Sequence, residues 1–308
     1  MTRSEIAKRR RQFIISAQEK LLRITSAAER VLLDAILNKL FDQLGDDAGK
    51  ILSDSGKTLK LTQAIEQVFD HFNKNKNVDI VRDIATSLQT ITTLNHDYFG
   101  QVSKGREQRY QKVFTQVEKK MKDRVGISKD GKIVKGGYLY RLLNDTTLRN
   151  KVQDATRKAS VRGADVKTYL GEIRKLVVGD ETVAGGLTHH YRTFAYDTYS
   201  KYDSAIGNGI AKGLGLQAAI YEGGLIETSR EFCKKKSGRV FTRQEIENFK
   251  NDPDLLTTKE ERKSGRLDYD PFEDKGRWNC RHIYNWIDKD LAIKMRPELK
   301  SYYQEAEK

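Results

Sequence analysis

The sequence predicts a mainly α protein: an elongated helical N-terminal bundle followed by a small α+β C-terminal domain. Three observations carry that prediction. All three prolines, Pro253, Pro271 and Pro297, lie beyond residue 250, so no earlier position lacks the amide hydrogen a helix needs. Apolar residues in the first half recur at alternating steps of three and four. Past Ile206, glycines punctuate a short β-prone piece instead.

Taken in order, Thr2-Arg3-Ser4-Glu5 has the spacing of a capping box and should open the first helix. Ile14, Ala17, Leu21, Ile24, Ala28, Val31 and Ala35 then mark its apolar stripe, to about Leu44, a rod of about 60 Å. Gly45-Asp46-Asp47 is the expected stop. Leu61, Ile65, Val68 and Phe72 mark a second helix ending in the polar run Asn73 to Asn77. Val81, Ile84, Leu88 and Ile91 mark a third, and Tyr110, Val113, Val117 and Met121 repeat the pattern after Gly100 and Gly105. Each stripe is polar on its other side, so the helices need one another, as an antiparallel bundle or paired hairpins.

The glycine-rich, basic stretch 126-137 is the expected border between a helical, basic domain, 1-125, and a C-terminal domain, 138-290, with a tail helix over 291-308. Leu148 to Leu176 and Tyr191 to Ile206 still read as helix. Gly207, Gly209, Gly213, Gly215, Gly223 and Gly224 bracket a strand over Leu216 to Tyr221. Thr228-Ser229-Arg230-Glu231 and Thr242-Arg243-Gln244-Glu245 are two further capping boxes, separated by a turn and a brief extended piece, Gly238 to Phe241. Asn251-Asp252-Pro253 ends the second short helix, and an exposed loop is expected from there to Gly276. The segment Arg277 to Trp286, RWNCRHIYNW, reads as a strand with Cys280, His282, Tyr284 and Trp286 on one face.

The formal net charge is +14, and residues 1-150 hold 28 Lys/Arg against 18 Asp/Glu, so the positive field is mainly N-terminal. Lys8, Arg9, Arg10, Arg11, Lys119, Lys120, Lys122 and Arg124 are the candidate polyanion contacts, weighed against an ordinary solvated face. Met1 is followed by a polar, Arg-rich stretch, and no apolar run reaches the roughly 18 residues that span a bilayer, so synthesis in the cytoplasm and no membrane partner are expected.

Candidates for chemistry thin out on inspection. Gly56-Lys57-Thr58 has Ile51 where a phosphate loop needs glycine, and Gly207, Gly209 and Gly213 miss the dinucleotide spacing. His189, His190, Asp197, Asp203 and His282 have no spacing specific to a hydrolase. Cys233, Cys280 and His282 are the weak candidates for metal, because a lone Cys and a distant Cys-x-His lack the close pairing of structural zinc sites. A disulfide and two buried free thiols packed side by side are the other readings, the last being the default for so buried a residue type. No catalytic residue, metal or cofactor is expected.

The ordered set Tyr221-x-Gly-Gly, Thr228-Ser229-Arg230-x-Phe232-Cys233, Gly238-Arg239-Val240-Phe241 and Trp278-Asn279-Cys280-Arg281-His282 resembles the C-terminal signature of the Mu F-like phage head morphogenesis, or minor head protein, family. The likeness covers roughly residues 150 to 290. Where that family carries a Pro-Pro-x-His-like segment, this chain has Lys275-Gly276-Arg277-Trp278. The resemblance implies a structural, non-enzymatic virion component present in several copies inside the capsid. Its partners would be the portal protein, the major capsid protein, or both, and packaged DNA through the basic helices. Its role would be head assembly and DNA retention or ejection; the alternative is a DNA-binding or DNA-processing protein. Arg230, Phe232, Cys233, Phe241, Trp278, Cys280, Arg281 and Trp286 would form a structural core clasp, with Arg230 and Arg281 as interior anchors.

Overall fold

In a computed structural model, residues 1-44, 55-255, 269-277 and 280-305 are described. The chain is mainly helical with a small three-stranded antiparallel sheet near its C-terminus. Its expected stop at Gly45-Asp46-Asp47 and Trp278 of the expected clasp lie outside the described residues.

The first helix, α1, runs Arg3–Leu44 and opens on the expected capping box: Glu5 N donates to Thr2 Oγ1 and Thr2 N to Glu5 Oε2. Its buried face holds Ile14, Ala17, Leu21 and Ala28 of the predicted stripe and departs from it beyond them. Leu21, Thr25, Leu32, Ile36 and Leu40 are buried, whereas Val31 is 48% exposed and Ala35 faces solvent. A strict alternation of three and four averages 3.5 residues per turn and drifts around a straight helix of 3.6, so the far end of the stripe rotates out of the core.

Helix α2, Ser55–Phe72, does not end at the polar run. Asn73–Asn77 forms a widened π turn that leads directly into α3, Val78–Val102, and Gly100 lies inside that helix. Buried Asn77 explains the turn: its amide donates to the Leu143 carbonyl (2.9 Å) and its Oδ1 accepts from the Tyr191 hydroxyl (2.6 Å). Such a bulge inserts a polar anchor without breaking the helix. Helix α4 follows over Glu107–Val125, α5 over Tyr138–Leu143, α6 over Thr147–Arg162 and α7 over Val166–Val178. The last pair is divided at Gly163, whose φ of 60° is the left-handed conformation that closes a helix.

Helix α8, Gly186–Leu214, runs through Gly207, Gly209 and Gly213, so these are not loop punctuation. A Cβ on Gly213 would stand 2.4 Å from a Val113 methyl, and one on Gly209 3.1 Å from Val117. Four residues apart, the two glycines share a helix face and let α4 approach closely. The sheet follows: β1, Ala218–Glu222, lies between β2, Arg239–Thr242, and β3, Ile283–Ile287, with Ala219 opposite both Phe241 and Trp286. The short helix α9, Glu231–Lys236, begins at Arg230 without a side-chain cap, so the Thr228 box does not form; Ser229 Oγ accepts from Ile226 N instead. Thr242 and Glu245 do form theirs at the start of α10, Arg243–Glu247. Within the expected loop, Pro271–Asp274 is a short helix, α11, capped by Asp270. The expected tail helix is two, α12 (Lys289–Met295) and α13 (Leu299–Glu305), flanking Pro297. They pack Ala292, Leu299 and Tyr303 with Ala218, Val240 and Ile287 of the sheet.

Two compact units result, each assembled from separate segments: Met1–Gln18, Ser87–Arg124 and Tyr196–Lys308 in one, Glu19–Thr86 and Val125–Ala195 in the other. Each therefore takes residues from both sides of 126-137, which itself holds a bridge between Ile127 and Ile133. The second unit has a mainly helical core that includes Leu32, Ile36, Ile65, Ile84, Tyr169 and Ile173. There Glu29 accepts from Thr188 N (2.6 Å) and Thr188 Oγ1 (2.9 Å), placing a carboxylate at the start of α8.

Candidate functional site

The sheet of the first unit gathers the sulfur and imidazole groups. Cys233 sits on α9, Cys280 and His282 lie on the run into β3, and Tyr221 stands in the central strand between them. All four are buried. The two sulfurs are 3.9 Å apart, Cys280 Sγ is 3.7 Å from His282 Nδ1, and the Tyr221 hydroxyl is 3.5 Å from Cys233 Sγ and 3.3 Å from Cys280 Sγ. The Tyr221 and His282 rings stack, with centroids 4.6 Å apart and planes 9° from parallel. The thiols are free and adjacent, and the three donor atoms of Cys233, Cys280 and His282 lie within 4.8 Å of one another.

The pair shares its charge unequally. The hydrogen bond from Cys233 holds Cys280 well below the usual thiol range against the penalty of burial, with His282 and Lys275 adding to the effect. The same bond and burial push Cys233 up. Cys233 is thus the protonated donor and Cys280 the preferred site of negative charge. Tyr221 is kept neutral by burial.

Behind the thiols lies a buried polar network that the sequence did not reveal. Lys275, 1% exposed, donates to Ser200 O (3.1 Å), Ser200 Oγ (2.7 Å) and Ser204 Oγ (2.8 Å). Burial lowers its pKa, opposed by Cys280 and Asp203. Arg10 donates to Asn95 Oδ1, the Tyr284 carbonyl and Asn285 Oδ1, and its Nε faces Asp203 Oδ1 at 3.2 Å, an ion pair without hydrogen-bond alignment. Asn95 in turn donates to Asp203. Arg10 is therefore an interior residue, and its place among the polyanion contacts is corrected; one turn of α1 carries Arg9 outward and Arg10 inward.

The remaining expected residues separate by burial. Phe232, Phe241 and Trp286 are buried, and Phe249 meets both Phe232 and Phe241 edge-on. Arg230 and Arg281 are only half-buried, so neither is the interior anchor; that position belongs to Arg10. Lys8, Arg9, Lys119 and Lys120 are exposed, while Arg11 faces Glu222, Lys122 pairs with Glu118 and Arg124 grips Glu273 through both oxygens. Of the hydrolase candidates, Asp203 and His282 belong to the first unit and His189 and His190 to the second, and the side chain of Asp197 is outside the described residues. A cavity of about 720 Å³ in the second unit, lined by Phe69, Phe72, Leu148, Leu176 and His190 among others, includes none of the sulfur groups. The signals that could have found Lys275 and Gly276 were faint: they stand just beyond Asp270-Pro271, a helix start inside a supposed loop.

Comparison with known proteins gives no match to this chain among family models, curated proteins or solved structures.

Proposed function

We propose that the chain is a structural, non-enzymatic minor head protein of a tailed bacteriophage, made in the host cytoplasm and carried inside the capsid at or near the portal. It aids head assembly and the retention or ejection of DNA, in several copies, through contacts with portal or major capsid protein. One observation carries the reading. The pieces on which the resemblance rests, lying far apart in sequence, supply Tyr221, Phe232, Cys233, Cys280 and His282 to a single buried cluster. An ordered motif whose members meet in one core is what a shared domain requires. Among the described residues no helix is long and apolar enough to cross a membrane. Localising the protein in intact particles tests the reading: density or label at the portal vertex, with co-purification of portal protein, is expected, and its absence from purified virions would refute it.

Exposed Lys8, Arg9, Lys119 and Lys120 support a second reading, direct binding to DNA phosphates. Affinity for duplex DNA that falls steeply between low and moderate salt, and weakens in a Lys119→Ala/Lys120→Ala variant, is its signature.

A further inference from the structure

We propose that Cys233, Cys280 and His282 bind one zinc ion. This inference concerns a site in the fold and does not depend on the virion assignment.

Two of the three donor separations match a tetrahedral ion, and the third, from Cys233 to His282, lies within 4.8 Å and would close on binding. With metal–sulfur bonds of about 2.3 Å and metal–nitrogen bonds of about 2.05 Å, two ligand sulfurs stand about 3.8 Å apart and a sulfur and nitrogen about 3.6 Å. The chain holds them at 3.9 Å and 3.7 Å. The Tyr221 hydroxyl, 3.5 Å and 3.3 Å from the two sulfurs, stands beside them as a hydrogen-bond partner. Two thiols packed for burial alone would need only the first of these contacts.

Gly276 lies against the same groups: a Cβ there would fall 2.5 Å from Cys233 Sγ, 3.0 Å from Cys280 Sγ and 3.1 Å from the Tyr221 hydroxyl, so only a glycine lets the backbone close over the cluster without pushing the sulfurs apart. The backbone is bent to bring glycine to this point: its neighbours Lys275 and Arg277 hold φ of 50° and 69°, the left-handed region that side chains disfavour. Strain of that kind persists where surrounding structure demands it.

The charge also closes. Zinc takes both sulfurs as thiolates, displacing to solvent the proton that Cys233 holds, and two thiolates and a neutral imidazole then leave the ion with no net charge to bury. An ion held by these three buried ligands would tie α9 to the run into β3 across 47 residues of sequence. The sequence objection, that the cysteines lie too far apart for a zinc site, applies to local loops; here the sheet performs the pairing.

The test uses the full chain, purified without chelator. Elemental analysis should find about one zinc per chain. Replacement by cobalt should give the visible bands of a tetrahedral ion and near-ultraviolet thiolate bands. Cys280→Ser and Gly276→Ala should abolish both, the second by driving a methyl against Cys233 Sγ and Cys280 Sγ and so pushing the sulfurs out of place. Gly224→Ala, with nothing near its added methyl, should keep them. If these variants do not fold, the wild-type cobalt spectrum decides. Wild-type protein without metal and with two titrating thiols, a Cys233–Cys280 disulfide, or metal that persists in folded Cys280→Ser would each overturn the proposal.

Discussion

Arg10 and Asp203 form an ion pair in the interior of the first unit, their side chains 1% and 2% exposed. Removing one partner strands the other charge, together with Asn95 and Asn285, which are shared with Arg10. Arg10→Ala should cost about 3–5 kcal/mol in denaturant unfolding, whereas Arg9→Ala, on the exposed face, should stay within about 0.5 kcal/mol. Equal losses at the two positions would contradict the burial of Arg10.

That contrast shows what the sequence could and could not express. Helices were legible because a periodic stripe needs only local spacing, and the sheet because glycines and β-prone residues bracket it. A stripe does not say which of four adjacent basic residues turns inward: Lys8-Arg9-Arg10-Arg11 is one charge run in sequence, yet α1 sends its third member to Asp203. Cys233 and His282 were singled out as weak metal candidates, but Gly276 and Lys275 acquire meaning only from what the fold places against them. Gly213 misled for the opposite reason, since a glycine that admits a neighbouring helix is indistinguishable in sequence from one that ends a helix.

Glycine substitutions separate those two uses. Gly213→Ala would drive a methyl to 2.4 Å from Val113 and should destabilise by about 1–3 kcal/mol. Gly100, inside α3 with nothing within 4 Å of an added Cβ, should give about 0.5–1 kcal/mol of extra stability as alanine. Thermal melts of the two variants should therefore move in opposite directions.

The start of α10 joins a capping box to an ion pair. Thr242 Oγ1 accepts from Glu245 N, Glu245 accepts from Thr242 N, and both Glu245 oxygens accept from Arg296, each at 2.7 Å. Thr242→Ala should cost about 1 kcal/mol, the usual loss of an N-cap. A Glu245→Gln/Arg296→Met double-mutant cycle should show coupling, because Arg296 donates directly to both oxygens of the Glu245 carboxylate. Additive losses would mean that the bidentate pair contributes nothing in solution.

The second unit should be acid-sensitive through His190. Burial lowers the pKa of this imidazole below its ordinary 6.5, with His189 acting in the same direction and Asp145 opposing. Its Nε2 is buried without a hydrogen-bond partner, so a proton gained there has no acceptor to meet it. The unfolded chain thus takes up the proton more readily than the folded one. The stability linked to this group is complete above 6.5 and is lost as pH falls from that value through the lowered pKa of the folded state. His190→Phe keeps a ring for the edge-on contact with Tyr191, at 5.2 Å and 80°, and removes the titration. Melting temperatures measured from about pH 7.5 down to about pH 5 should decline less in the variant than in the wild type. The other histidines are common to both proteins and cancel in the comparison. Parallel curves would show that His190 is as easily protonated in the fold as in water.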